Sequence, residues 1–409
     1  MVQHCTEASG SDTGTTTTTA GSSSTPTPLA AADAQQESPT SNSPLPFLLQ
    51  LFLEDTPLLD VRAPVEFNKG AFPTSVNIPI LDSEQRALVG TCYTEEGQDA
   101  AIRLGRELMT PELQQQRLQD WMDHIEKHPQ GYMYCFRGGL RSRLAHLSLK
   151  ELTGVNYPIV PGGYKAMRTF LMENMEQNVQ ELPVVLIGGR TACGKTTLLL
   201  ELERHVDLEG LANHKGSTFG KQLDPQPAQI DFENSLAIEF IKLRQVGKLP
   251  VFIEAEGNRV GDRVLPLSLN LAMTERYPII ELEIPMAERV LTCIKDYVTD
   301  AFPRYETHYG GPALAHKKFQ EKYLSNFDRL KNRLGGARHK KMRAQVEQAL
   351  VQYEKDGDES GFYEPTETIL GEYYDRMYDH QASKRKGEIL FRGDRQAVIE
   401  FAEQYAAQF

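Results

Sequence analysis

Tyr134-Cys135-Phe136-Arg137-Gly138-Gly139-Leu140-Arg141-Ser142 follows the apolar lead-in Gly131-Tyr132-Met133 and precedes a stretch with helical spacing, Arg143 to Lys150. That order reads as strand, tight glycine-bearing loop, helix. Backbone N–H groups and a helix N-terminus converge on such a loop and favour an anion. The same field lowers the pKa of a thiol and yields a thiolate nucleophile at neutral pH. Arg137 or Arg141 then offers paired charge-assisted hydrogen bonds to an oxyanion. The competing reading is a buried structural cysteine beside a turn. Two glycines, two arginines and a serine after the second arginine weigh against it.

Working outward, Pro57-Leu58-Leu59-Asp60-Val61-Arg62 reads as a buried strand ending in Asp and Arg. A short helix and turn at Pro64–Gly70 and a short strand at Val76–Pro79 come next. Helical spacing resumes across Glu95–Arg106 and from Pro111 through His128, which carries the only tryptophan, Trp121. Beyond the cysteine loop, Tyr157–Val160 reads as another short strand, and Gly162-Gly163-Tyr164 opens a closing helix. Strands alternating with helices indicate a parallel α/β sheet. The polar stretch from Asn174 to Leu182 is expected to be a linker over 174–182.

A second loop follows the apolar strand Pro183–Gly188: Gly189-Arg190-Thr191-Ala192-Cys193-Gly194-Lys195-Thr196, then the helical Thr197–Leu202. It fits the G-x-x-x-x-G-K-[ST] phosphate loop in its required strand–loop–helix setting. Backbone N–H groups cradle a diphosphate, Lys195 reaches its outer oxygens, and Thr196 is placed to hold Mg2+. Ala192 stands where related loops often have glycine, and Cys193 is expected only to fit the space there. The strand Leu249–Glu254 ends in Glu254 with Glu256 close by, the expected place for the acid that orients a metal-bound water. Tyr277–Ile284 is a third strand, and the remainder to Phe409 reads mostly as helix. It includes basic runs at Arg329–Arg343 and Lys384–Lys386 and the aromatic Tyr373-Tyr374-Asp375-Arg376-Met377-Tyr378. Aromatics beside cations stack splayed bases, while tyrosines on a helix also simply pack.

At 409 residues the chain has room for two or three domains with real cores. The formal net charge of −12 argues against indiscriminate nucleic-acid binding, so a polyanionic partner needs a local basic surface. Five scattered cysteines form no C-x-x-C pair and fit a reducing compartment. No apolar run approaches a membrane span and no secretory pattern opens the chain, which points to the cytoplasm. Residues 1–44, rich in Ser, Thr, Ala, Gly and Pro, are expected to be a disordered low-complexity tail.

Asp60-Val61-Arg62, Glu66-Phe67, Gly70, Pro73, Asn77-Ile78-Pro79 and the Cys135 loop together resemble a rhodanese domain. Such domains carry sulfur or selenium on the loop cysteine. Here five residues separate Cys135 from Arg141-Ser142, so the loop also resembles the Cys-x5-Arg-Ser/Thr loop of cysteine phosphatases. Those often have histidine before the cysteine, where this chain has Tyr134. From about Leu45 onward the whole chain resembles the bacterial tRNA 2-selenouridine synthases. The matching stretches include Asp60–Pro64, Val89-Gly90-Thr91-Cys92-Tyr93, Cys135–Ser142, Gly162–Ala166, the phosphate loop, Asp207–Ala212, Gly216–Gly220 and Tyr373–Tyr378. One departure is Arg376, where the family pattern leads one to expect proline.

The resemblance implies an α/β fold: a rhodanese-like domain with a parallel sheet over 45–173, then a P-loop NTPase-like α/β domain with a helical C-terminal part over 183–409. It implies a transferase acting on tRNA that carries 2-thiouridine at the wobble position. The sulfur is S-geranylated from geranyl diphosphate, and selenium from selenophosphate then displaces the geranylthio group. On this reading Cys135 carries selenium as a perselenide while Arg137 and Arg141 bind the phosphate of selenophosphate. Gly189–Thr196 holds geranyl diphosphate, and Mg2+ sits at Thr196 and Glu254. Cys92 is either a resolving thiol or a space-filling side chain. No membrane partner is expected, and the oligomeric state stays open, a monomer included. The alternatives are a sulfurtransferase or phosphatase with a regulatory nucleotide-binding domain, and a nucleotide-gated binding module without covalent chemistry.

Overall fold

Short apolar runs bounded by glycine or proline assemble into two parallel sheets in the computed structural model, which describes residues 44–409 apart from Lys248. The expected tail therefore lies outside the described residues, save Pro44. Helix α1 (Pro44–Leu53) opens the first half and buries Leu48, Leu51 and Phe52. Strand β1 (Leu58–Asp60) is followed by α2 (Pro64–Phe67) and β2 (Ser75–Asn77). Helices α3 (Ser83–Glu96), α4 (Gln98–Leu108) and α5 (Pro111–Lys127) precede β3 (Tyr132–Tyr134) and α6 (Leu140–Thr153). The three strands pair in parallel in the order β2-β1-β3.

Three local expectations are corrected here. α3 begins at Ser83, capped by Asp82, whose carboxylate accepts the Gln85 N–H; it buries no residue, so it shows no readable apolar period. Gly97, at φ +88°, separates α3 from α4 within what the spacing joined as one helix. Residues 157–160 supply one parallel bridge, Met133 with Ile159, and not a full strand. Pro158 has no N–H to give a ladder.

The expected linker is also corrected. Helix α7 (Gly163–Glu181) runs through it without a break, burying Met175, Asn178 and Val179. Its exposed polar face hid its buried one. Tyr277 donates its hydroxyl to Val179 O at 2.7 Å.

The second half begins two residues later with β4 (Val184–Gly189), buried at every position. α8 (Lys195–Leu199), β5 (His205–Val206), α9 (Leu208–Leu211), α10 (Gln229–Gln245) and β6 (Val251–Glu254) follow. After a hairpin of β7 (Arg259–Val260) and β8 (Arg263–Val264) come α11 (Leu267–Glu275) and β9 (Ile279–Leu282). The remainder is mostly helical, as expected: α12 (Met286–Ile294), α13 (Phe302–Tyr309), α14 (Pro312–Asp328), α15 (Lys331–Leu334), α16 (Gly336–Asp356), α17 (Tyr363–Ile369) and α18 (Asp375–Ala382). It holds one unexpected strand, β10 (Ile389–Gly393), before α19 (Arg395–Ala406). β10 bulges between Ile389 and Phe391, is half exposed, and forms the edge of a parallel sheet ordered β10-β9-β4-β6-β5.

α7 and α10 lie side by side and run the same way. Arg168 near the start of α7 bonds Glu233 and Asn234 near the start of α10. Asn178 and Glu181 near the end of α7 meet Arg244 near the end of α10. One apolar core spans both halves, with Leu48, Tyr164, Met167 and Phe170 from the first and Leu186, Phe232, Leu236 and Ile253 from the second. Among the described residues, no helix is long and apolar enough to cross a membrane.

Candidate functional sites

The cysteine loop leaves β3 at Tyr134 and enters α6 at Leu140. Cys135 is buried, and its Sγ lies 3.2 Å from Ser142 Oγ. Burial alone pushes the thiol pKa up. Hydrogen bonds from the Ser142 hydroxyl and from the backbone of Ser142, Arg137 and Gly139 more than offset that and hold it below its ordinary value. The loop is pinned from behind by α7, where Tyr164 N donates to Cys135 O and Lys165 N to Phe136 O, both at 2.9 Å. The approach is so close that a Cβ on Gly163 would lie 2.3 Å from Cys135 O. Glycine at 163 and at 138, with φ +58° and +60°, is therefore a packing requirement.

The two arginines differ. Arg137 is exposed against the Phe136 ring. Arg141 forms a two-pronged ion pair with half-buried Glu66. Burial works to raise the Glu66 pKa, but Arg141, the Ala63 N–H and Arg86 together bring it below the ordinary carboxylate value. An anion at this loop competes with Glu66 for Arg141. Tyr134, at the position where phosphatases often have histidine, is buried and shares a hydrogen bond with Ser75. Cys92 is half-buried on α3, and partial burial with Glu96 nearby raises its pKa.

The phosphate loop joins β4 to α8. Lys195 Nζ donates to Gly189 O at 3.0 Å. Burial disfavours its charge, but Cys193, Glu256, Glu209 and Tyr378 more than compensate and raise its pKa. Ala192 adopts φ +62°, a left-handed conformation that costs a non-glycine residue about 1 kcal/mol. Cys193 is buried with its Sγ against Gly189. Arg190 turns to Asp379 and Asp375, and Thr191 O accepts from buried Arg289, itself paired with Asp375. Gly194 provides the left-handed turn, φ +82°, into α8.

Thr196 donates its hydroxyl to Glu209 at 3.0 Å. With Glu256, Glu209 lines a cavity of about 460 Å3 that also holds Lys195 and Asp207. Glu254 does not line it. One Glu254 oxygen accepts the Leu208 N–H at 3.0 Å and the other has no partner among the described residues. Burial, then Asp207, Glu209 and Glu256, raise its pKa well above the ordinary carboxylate value. Glu256 is pushed up to about 7 by burial and by Glu209 facing it. Glu209 lies thirteen residues beyond Thr196 and was missed as a site residue, although its stretch Asp207–Ala212 was among the family matches.

Tyr378 was also missed in this role. Its hydroxyl accepts the Gly189 N–H at 2.8 Å, and Tyr374 accepts the Thr218 N–H at 3.2 Å. The aromatic segment thus braces the phosphate loop, and Arg376 sits in a continuous helix. Two of the cations in the basic run are paired with carboxylates, Arg338 with Glu372 and Arg343 with Asp328 and Glu347. Arg385 donates to Ala255 O at the end of β6, and Lys386 pairs with Glu275.

Fold and sites together define a rhodanese-like domain with a buried cysteine loop, followed by a P-loop domain. Family models agree: "Rhodanese-like domain" matches residues 47–169, and "tRNA 2-selenouridine synthase AAA domain" matches residues 182–409. Proteins named tRNA 2-selenouridine synthase from Marinobacter nauticus (44% identical over 354 residues) and Pseudomonas fluorescens (45% over 354) each align with 87% of this chain and 96% of their own length. The one from Bordetella bronchiseptica is 43% identical over 351 residues, covering 86% of this chain and 95% of its own. The chain belongs to the tRNA 2-selenouridine synthase family of enzymes.

Proposed function

We propose that this enzyme replaces sulfur by selenium in the wobble 2-thiouridine of tRNA, in the cytoplasm, in two steps. In the first, the 2-thio sulfur attacks C1 of geranyl diphosphate. The C–S bond forms, the C–O bond breaks, diphosphate leaves with the electron pair, and the base proton passes to solvent. In the second, the selenium of selenophosphate, held at the Cys135 loop, attacks C2 of the base. The C2–Se bond forms, the C2–S bond breaks, and the geranylthio group leaves with its electron pair and takes up a proton; water then cleaves the Se–P bond and phosphate leaves. Geranylation makes a poor leaving sulfur a good one. The observation that carries this reading is the presence of a depressed-pKa cysteine loop and a phosphate loop in one packed unit of a chain from this family.

In this reading Gly189–Thr196 holds the diphosphate, and Lys195 stabilises it as it departs. Arg137 and Arg141 bind the phosphate of selenophosphate, Arg141 exchanging Glu66 for it. Among the described residues no set of three His, Cys, Asp or Glu side chains is clustered to hold a metal. The hard oxygens of Thr196, Glu209 and Glu256 around one cavity nonetheless fit Mg2+, which usually takes few protein ligands and completes its shell with water and phosphate. Bound there, Mg2+ would supply positive charge for the diphosphate.

Nucleoside mass spectrometry on thiolated tRNA tests the proposal, with geranyl diphosphate alone and then with selenophosphate added. The expected result is a geranyl adduct that converts to the selenium-for-sulfur product. Unchanged tRNA, with phosphate release from small phosphoesters, would instead support the phosphatase reading that the Cys135–Arg141–Ser142 spacing also favours.

A further inference from the structure

A cavity of about 600 Å3 opens on the flank of the Cys135 loop, and neither step above uses it. Its walls are apolar: Val89, Ile102, Leu118, Trp121 and Leu144, drawn from α3, α4, α5 and α6. Arg141 lines it as well as belonging to the cysteine loop, and Arg106 and Arg117 are the other cations. The described residues that line it include no Asp or Glu. Arg117 Nε is buried without a hydrogen-bond partner among the described residues. The phosphate-loop cavity is the opposite, with Asp207, Glu209 and Glu256 in its wall. A hydrocarbon chain is matched by the apolar walls of the first cavity, whereas the acids of the second suit a diphosphate with a hard cation.

We propose that this cavity is the hydrocarbon subsite of the selenation step, holding the branched ten-carbon chain of the S-geranylated nucleotide beside the Cys135 loop while Arg106 and Arg117 face its RNA phosphate. The inference rests on the two-step reading and deepens it. A geranyl group on the sulfur has to lie somewhere while C2 is presented to Cys135, and water is a poor place for it. Seating the chain at α6, the helix that leaves the cysteine loop, orients C2 and the leaving sulfur with respect to that loop.

Trp121, the only tryptophan, forms part of the wall and is fixed by its N–H bond to Ile78 O at 3.0 Å, so its emission reports on the cavity. The full chain is titrated with geraniol, which has no phosphate, and separately with inorganic diphosphate. Geraniol is expected to change the emission saturably in wild type and in Lys195→Ala, and Ile102→Asp to weaken that binding at least tenfold. Leu144→Gln, a milder change, is expected to weaken it several-fold, and retained diphosphate binding shows that both variants are folded. No saturable response to geraniol, or one lost in Lys195→Ala, overturns the subsite. A parallel assay supplies pre-geranylated tRNA and selenophosphate. Normal selenation by folded Ile102→Asp rejects the subsite and leaves the two-step reading standing. Saturable geraniol binding lost in Ile102→Asp, with no tRNA modification by wild type, keeps an isoprenoid subsite and rejects that reading.

Discussion

The cysteine loop and the phosphate loop are built alike, each a glycine-bearing turn between a buried parallel strand and a helix, yet they differ in what surrounds the anion they offer to hold. At the first the nucleophile is part of the loop, backbone N–H groups serve its sulfur, and the nearby charges are arginines with Glu66 as their counter-ion. At the second the loop offers a lysine and a hydroxyl, faced by Glu209 and Glu256. A thiolate is stabilised by donors and weakened by acids. A diphosphate with a hard cation needs those acids nearby. On the proposed reading, the same backbone solution would serve selenium transfer at one loop and leaving-group stabilisation at the other, with the surrounding side chains deciding which.

The sharpest way to break this division is to remove the central group of each loop. Cys135→Ser is expected to cut selenium incorporation about a thousandfold or more while geranylated tRNA accumulates. Lys195→Ala is expected to cut geranylation by about 10²–10³-fold, yet to selenate pre-geranylated tRNA as wild type does. Nucleoside mass spectrometry reads both, and loss of the same step in both variants would erase the distinction.

A smaller effect tests how the thiolate is held. Ser142→Ala removes the hydroxyl 3.2 Å from Sγ and is expected to raise the Cys135 pKa, since a donor to the sulfur is lost. Alkylation mapped to Cys135 should then slow at pH 7, and its pH profile should shift upward. An unmoved profile would mean that the backbone donors alone suffice.

The smallest effect concerns the acids of the second loop. Glu256 has its pKa raised to about 7 by burial and by Glu209, so the folded state binds this proton more tightly than the unfolded state. That stabilisation is complete below the unfolded pKa of about 4.3 and is lost as pH rises through about 7. Glu256→Gln should match wild type near pH 4 and exceed it at pH 8 by about 1 kcal/mol, after allowance for partial solvent screening. Denaturant midpoints at the two pH values check the sign.

What was legible in the chain was local. Both loops announce themselves through glycine spacing and a flanking apolar strand, and so their strand–loop–helix settings could be read residue by residue. What escaped depended on partners far along the chain. Tyr378 reaches Gly189 across 189 positions, and no local pattern marks that bond. Glu254 and Glu256 are two residues apart at one strand end, and only burial separates the core carboxyl from the cavity carboxyl. The cavity beside Cys135 is assembled from four helices, one of which, α3, buries nothing of its own. Residues 174–182 misled for a related reason. A helix that buries one narrow face against α10 and α11 looks polar in a linear reading.

The shared direction of α7 and α10 has a consequence for the substrate. Each helix is followed after a few residues by a strand of the same sheet, β4 and β6, so each strand runs back along its helix. α7 climbs about 28 Å over its nineteen residues, and β4 returns about 20 Å of that. The end of β4, where the phosphate loop begins, therefore comes back toward the level at which α7 touches the cysteine loop. On the proposed two-step reading, that return of β4 along α7 would shorten the path an RNA hairpin's tip has to travel between the two loops.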